Sequence, residues 1–247
     1  MILEIKNLSK SFGKASSKSL ILKDINFSVN KGEFLCIVGP SGCGKSTLLR
    51  QIGSFDAADS GHILLNNKWV TKPELNRIMV FQDFNQLFPW KTVMENIIFP
   101  LKTNNLIKNK KELLEIGEKY LSMVKLEKFS KYYPHELSGG MKQRIAIARA
   151  LAINPHILLM DEPFGSLDAQ TRSELQDMLL NIWQETNITV IFVTHDIQES
   201  ILLSDRIVIM GKNPGHIKKI IDNPLPRPRS IENRELSSIY KNIYNEL

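Results

Sequence analysis

The stretch "GPSGCGKSTLLR", Gly39 to Arg50, sets three glycines and a lysine directly ahead of a helix-forming run. Upstream, "GEFLCIVGP" is apolar from Phe34 to Val38 and β-branched toward its end, which predicts a buried strand stopping at Gly39. Downstream, "STLLRQI" predicts a helix. Strand, glycine loop and helix form the context that the G-x-x-x-x-G-K-[ST] pattern requires, with Gly39, Gly44, Lys45 and Ser46 on the fixed positions. The reason is crowding: backbone N–H groups converge on phosphate oxygens only where no side chain blocks the approach and the chain can take unusual φ/ψ values. The helix N-terminus adds unpaired donors and a partial positive charge. The candidate triphosphate cradle is therefore Gly39, Pro40, Ser41, Gly42, Cys43, Gly44, Lys45, Ser46 and Thr47. Lys45 is expected to reach the β/γ-phosphates and Ser46 to ligate Mg²⁺.

The chain has 247 residues, enough for one large domain or a domain with an inserted subdomain. Apolar residues make up 43% and charged residues 23%, which excludes a disordered or fibrous class. No stretch approaches the roughly 20 apolar residues of a membrane span. The start, "MILEIKNLSKSFGK", lacks the basic-then-apolar layout of a secretion signal, so a cytoplasmic location is expected. Two cysteines, Cys36 and Cys43, are too few for a disulfide framework or a zinc site and fit a reducing compartment. The net charge of +6 admits an anionic partner, but the lysines are scattered and no aromatic-basic platform accompanies them. A solvated surface, working beside a membrane, is the better reading; nucleic-acid binding is not expected.

"MILEIKNL" and "ILKDINFSV" read as an antiparallel pair joined by "SFGKASSKS", a mobile loop. "SGHILLNNKWV" reads as a hairpin turned at Asn66-Asn67, and "NRIMVFQ" as a strand ending at Gln82. From about Asp83 to Pro134 the pattern is helical and lysine-rich, with Met94, Ile97, Ile98 and Leu101 on one face. Strands return in "HILLMDEP", "ITVIFVTHD" and "DRIVIM", separated by helices, which argues for a parallel sheet with covered faces. "NPLPRPRS", Asn223 to Ser230, reads as an extended excursion before a final helix in "IENRELSSIYKNIYNEL".

A glycine loop alone is shared by kinases, switches and motors; the second half of the chain decides between them. "ILLMDEP" delivers Asp161 and Glu162 at the end of a strand, where a parallel sheet places its ligands. The first acid can hold the Mg²⁺ bound to Ser46, and the second can polarise an attacking water.

"LSGGMKQRIAIARAL", from Leu137, resembles the signature motif of ATP-binding-cassette ATPases, and the other family motifs follow in the family's order. The resemblance covers roughly Met1 to Arg229. It implies an α/β P-loop NTPase core of RecA type, with an N-terminal antiparallel β subdomain and an inserted helical subdomain. The nucleotide-binding domain is expected over 1–230, its helical subdomain at about 84–150, and a C-terminal helical tail over 231–247. Ser138, Gly139 and Gly140 open a helix and form a second anion site, which in the family closes over the nucleotide held by another subunit, giving an ATP-dependent head-to-tail homodimer. The resemblance makes Gln82 the glutamine that touches Mg²⁺ and the attacking water, Asp168 in "SLDAQTR" the acid of the loop at the dimer interface, and His195 in "VTHD" the histidine that contacts the γ-phosphate and orients Glu162. Phe12 sits where an aromatic ring stacks on adenine. Here it is phenylalanine where tyrosine is frequent, and Phe55, Asn66-Asn67, Ser200 and Ser204 also depart from commoner family residues.

A cassette of this kind implies ATP hydrolysis that moves a partner, here a separate pair of transmembrane permease subunits at the cytoplasmic face of the cell membrane. "VFQDFNQLFPWKTVMENIIFPL" and "NPGHIKKIIDNPLPRPR" look like the nitrate/sulfonate/taurine import branch, which implies an extracytoplasmic substrate-binding protein. Nitrate, taurine, alkanesulfonate and a pyrimidine vitamin precursor all stay open as cargo. An exporter or lipoprotein-releasing cassette, or a soluble non-transport cassette, is the alternative; the last class usually carries two cassettes or long coiled coils.

Overall fold

The computed structural model describes residues 1–13, 18–230 and 234–247. The middle of the "SFGKASSKS" connection expected to be a mobile loop, residues 14–17, and the first residues of the final segment fall outside them. In chain order the elements are β1 (Leu3–Phe12), β2 (Ser19–Val29), β3 (Phe34–Val38), α1 (Lys45–Ile52), β4 (Ser60–Leu65), β5 (Lys68–Trp69), β6 (Arg77–Val80), α2 (Val93–Thr103), α3 (Lys110–Met123), α4 (Gly139–Ala152), β7 (Ile157–Asp161), α5 (Ala169–Thr186), β8 (Thr189–Thr194), α6 (Ile197–Leu203), β9 (Arg206–Gly211), β10 (His216–Asp222) and α7 (Arg234–Glu246). They fall into two compact units, and the boundary crosses β7.

The first unit comprises Met1–Glu74, Leu159–Glu162 and Asn187–Leu247. Its antiparallel sheet runs β2-β1-β4-β5. The β4–β5 hairpin turns on Asn66 and Asn67, both at positive φ (49° and 61°), a conformation that asparagine tolerates better than most residues. Its second sheet runs β10-β9-β3-β8, with the carboxyl half of β7 beside β8. β3 is parallel to both β8 and β9, pairing Phe34 with Val190 and Val38 with Thr194. Every residue of β3 and β8 is buried. That matches their uninterrupted apolar runs, since a parallel strand covered on both faces has no solvent side to mark with polar residues.

The second unit comprises Leu75–Leu158 and Pro163–Thr186 and holds the stretch expected to be helical. α2 starts with a capping box: Glu95 N–H donates to Thr92 Oγ1 at 3.2 Å and Thr92 N–H to Glu95 Oε2 at 2.8 Å. Of the expected apolar face of α2, Ile97 and Leu101 are buried, while Met94 and Ile98 are half-buried against Gly117 of α3. A Cβ on Gly117 would meet Met94 Sδ and Ile98 Cγ2, so these two α2 side chains fill the space beside the glycine. β6 stops at Val80, two residues short of the expected end at Gln82. Side chains replace the ladder there: Gln86 accepts from Phe81 N–H at 3.3 Å and donates to Phe81 O at 3.0 Å, and Gln143 Nε2 donates to the same carbonyl at 3.3 Å. Among the described residues no helix is long and apolar enough to cross a membrane.

Candidate active site

β3 delivers the chain to Gly39, and the loop then has to turn tightly into α1. Gly42 and Gly44 sit at φ 77° and 99°, where side chains are strained. A Cβ on Gly39 would lie 2.8 Å from both Cys43 Sγ and the Met210 carbonyl. The first turn of α1 has no side-chain cap and no acidic residue, so its amides face an anion with nothing competing for them. Such open, uncapped amides suit a triphosphate.

Lys45 is 5% exposed and donates from Nζ to Gly39 O at 2.8 Å and Pro40 O at 3.3 Å. The ammonium is thus held along the loop and not released to solvent. Ser46, one residue on and exposed, donates from Oγ to Asp161 Oδ1 at 2.8 Å. Burial raises the Asp161 carboxyl above the ordinary carboxylate value; the Ser46 hydrogen bond opposes the shift and the adjacent Glu162 charge reinforces it. Two hard oxygen ligands side by side suit Mg²⁺. Among the described residues no cluster of three or more His, Cys, Asp or Glu could cage a metal.

Glu162 leaves the end of β7 at φ 44°, a left-handed conformation unusual for glutamate, with its N–H donating to Val193 O of β8 at 3.0 Å. The turn aims its carboxylate between two groups. Oε1 is 3.8 Å from Lys45 Nζ, and Oε2 is 2.7 Å from His195 Nδ1. His195 follows β8 and precedes α6, whose cap Asp196 accepts from Glu199 N–H at 3.2 Å. The carboxyl ends of β3, β7 and β8 therefore bring Lys45, Ser46, Asp161, Glu162 and His195 together in the first unit, as ligands gather in parallel sheets. Phe12 ends β1 in the same unit with its ring 44% exposed and Lys10 Nζ 5.0 Å from the ring centre.

The remaining expected residues belong to the second unit. Gln82 is exposed just beyond β6. Ser138 caps α4, accepting from Met141 N–H at 3.3 Å, and Gly140 packs against Thr171 of α5 so closely that a Cβ would come within 2.5 Å of Thr171 Cγ2. Asp168 Oδ1 accepts from Thr171 N–H at 2.9 Å, and this backbone hydrogen bond holds its carboxyl below the ordinary value. Two buried residues escaped the sequence reading. Gln143 links α4 to the Phe81 carbonyl. Asn96 accepts from Phe88 N–H at 2.8 Å and donates to Phe88 O at 3.2 Å and Lys91 O at 3.1 Å, holding the "LFPW" stretch. The available signal was a polar residue at a core-facing helical position in each case.

Residues 22–165 match the family described as ABC transporter. The chain is 48% identical over 246 residues to the aliphatic sulfonates import ATP-binding protein SsuB of Bacillus cereus (strain ZK / E33L), covering 100% of this chain and 96% of that protein. It is 45% identical over 226 residues to the nitrate import ATP-binding protein NrtD of Synechocystis sp. (strain ATCC 27184 / PCC 6803 / Kazusa), covering 92% of this chain and 84% of that protein. Among solved structures, the dimeric post-hydrolysis state of the ATP-binding cassette MJ0796 bound to ADP and Pi superposes with a TM-score of 0.80 at 33% identity, covering 91% of this chain and 100% of that one.

Proposed function

The chain belongs to the ABC transporter family, and on that premise we propose that it is the ATP-hydrolysing subunit of a membrane importer for a small nutrient anion. Relatives named for import of aliphatic sulfonates and of nitrate support the importer reading and favour a small oxyanion as cargo. The observation that carries the reading is the Glu162 carboxylate held between Lys45 and His195, beside the Ser46–Asp161 pair.

In the proposed reaction the loop amides and Lys45 bind and orient the triphosphate of ATP, neutralising charge on its β/γ-phosphates. Water attacks the γ-phosphorus; Glu162 accepts the proton as the new P–O bond forms, and the bond to ADP breaks. His195 keeps the Glu162 carboxylate turned to that task. Mg²⁺, held by Ser46 and Asp161, would stabilise charge on the transferred phosphoryl group. Gln82, Asp168, Ser138, Gly139, Gly140 and the Phe12 ring take the roles their motifs imply. The chain works as a dimer with permease partners; the head-to-tail arrangement, an external substrate-binding protein and a place at the cytoplasmic face of the membrane complete the proposal. Because hydrolysis has no acceptor other than water, its free energy goes into releasing a closed dimer and moving the permease.

The test is Glu162→Gln. It is expected to keep ATP binding, to lose turnover by roughly 100-fold or more, and to elute as a dimer with ATP and as a monomer without it. Rapid multiple turnover in this variant overturns the assignment.

A further inference from the structure

α6 is short, and His195 and its cap Asp196 stand at its N-terminal end. Ser204 N–H closes the last helical bond on Ser200 O at 3.1 Å, so the carbonyls of Ile201 to Leu203 lie beyond it, as at any helix end. They are met by the Pro-Arg segment that follows β10. Asn223 Nδ2 donates to Ile201 O at 2.8 Å and Ser204 O at 3.0 Å. Arg229 Nη1 donates to the same two carbonyls at 2.7 and 2.6 Å, and its Nη2 to Leu225 O at 2.8 Å, closing the segment on itself. Arg227 donates to Leu203 O and pairs with Asp205. Asp205 in turn accepts from Phe34 N–H at 2.9 Å and donates its own N–H to Phe34 O at 2.8 Å, at the start of β3.

One strap therefore joins the far end of the histidine's helix to the far end of the strand that carries the phosphate loop. Its polar side chains turn inward: Asn223 is 6% exposed, Arg227 and Arg229 are half-buried, and burial first, then the Arg227 charge, brings the Arg229 guanidinium down to about 10. Burying such charge is unfavourable unless its donors find acceptors, an arrangement that an extended connection to a terminal helix does not require. Cationic donors at a helix C-terminus also oppose its negative end. A helix of this length, roughly 10 Å, is stiff, so fixing one end fixes the other.

We propose that the Asn223–Arg229 strap is a positioning element for His195, with Arg227 and Arg229 setting where the imidazole meets Glu162. This rests on the role given to His195 above. The test is Arg229→Met in the full chain, which keeps side-chain length and removes the guanidinium. The imidazole resonances of His195, assigned with His195→Asn, are followed by NMR alongside kcat and KM for Mg-ATP. The His195 resonances are expected to move while those of His62 and His135 stay; kcat falls about tenfold, KM changes by less than about twofold, and Arg229→Lys recovers part of the rate. Unmoved His195 resonances overturn the inference whatever the rate does. Moved resonances with an unchanged kcat uphold the strap and overturn the role of His195 instead. If Arg229→Met does not fold, Asn223→Ser, which removes the amide donated to Ile201 and Ser204, is read by the same criteria.

Discussion

His195 Nδ1 lies 2.7 Å from Glu162 Oε2, although 33 residues separate the two in the chain. The imidazole thus holds one carboxylate oxygen while Lys45 stands 3.8 Å from the other. His195→Ala is expected to lower kcat on the order of 100-fold with ATP affinity nearly unchanged, because it frees the carboxylate without touching the loop amides. Steady-state phosphate release and nucleotide titration check both halves. A loss confined to affinity would place His195 in binding and not in orienting Glu162.

Lys45→Ala removes the buried ammonium that spans Gly39 O, Pro40 O and the Glu162 carboxylate. Mg-ATP affinity is expected to fall about 10- to 100-fold, the loss of one charge-assisted contact. Calorimetric titration reads it directly. Unchanged affinity would mean the loop does not hold phosphate.

Asp161→Asn is expected to be inactive and more stable. Burial, the largest cause, holds the Asp161 carboxyl above its ordinary value, so the folded chain binds that proton more tightly than the unfolded chain does. Stability from this group is therefore highest below the unfolded value and is lost as pH climbs through the folded one. Asparagine keeps an acceptor for Ser46 and carries no charge. Urea denaturation near neutral pH is expected to show a gain on the order of 1 kcal/mol, shrinking below about pH 4. No gain at neutral pH would show that the carboxylate is not penalised by its site.

Asn96→Leu is expected to destabilise the chain by about 2 kcal/mol, since it leaves the Phe88 N–H without its acceptor and removes the amide that donates to the Phe88, Lys91 and Thr92 carbonyls. The Trp90 ring is 70% exposed and packs on Phe88 with ring centres 5.6 Å apart. Its fluorescence should therefore shift in the variant before global unfolding begins. Unaltered stability would show that Phe88 finds water in place of the side chain.

Much of the fold was legible because its signals are local. The apolar runs of β3 and β8, the asparagine pair at the β4–β5 turn and the serine cap of α4 all act within a few residues of where they are read. The end of β6 was not legible. Phe81 looks like a strand residue, but its carbonyl is taken by Gln86 and Gln143, and Gln143 lies 62 residues away. Asn96 reads as a polar interruption of an apolar helix face until the Phe88 backbone is seen folded against it.

The sequence by itself determined the phosphate loop, the strand-terminal acids and the helix opened by Ser138. In each, backbone conformation and chemistry are set by neighbours along the chain. Tertiary structure alone decided that Lys45 would stand across the Glu162 carboxylate from His195, and that two arginines beyond β10 would cap α6. Those contacts depend on which strands pair in parallel and where their ends converge. That register is fixed by burying whole apolar strands against one another, an interaction without direction that no short motif encodes.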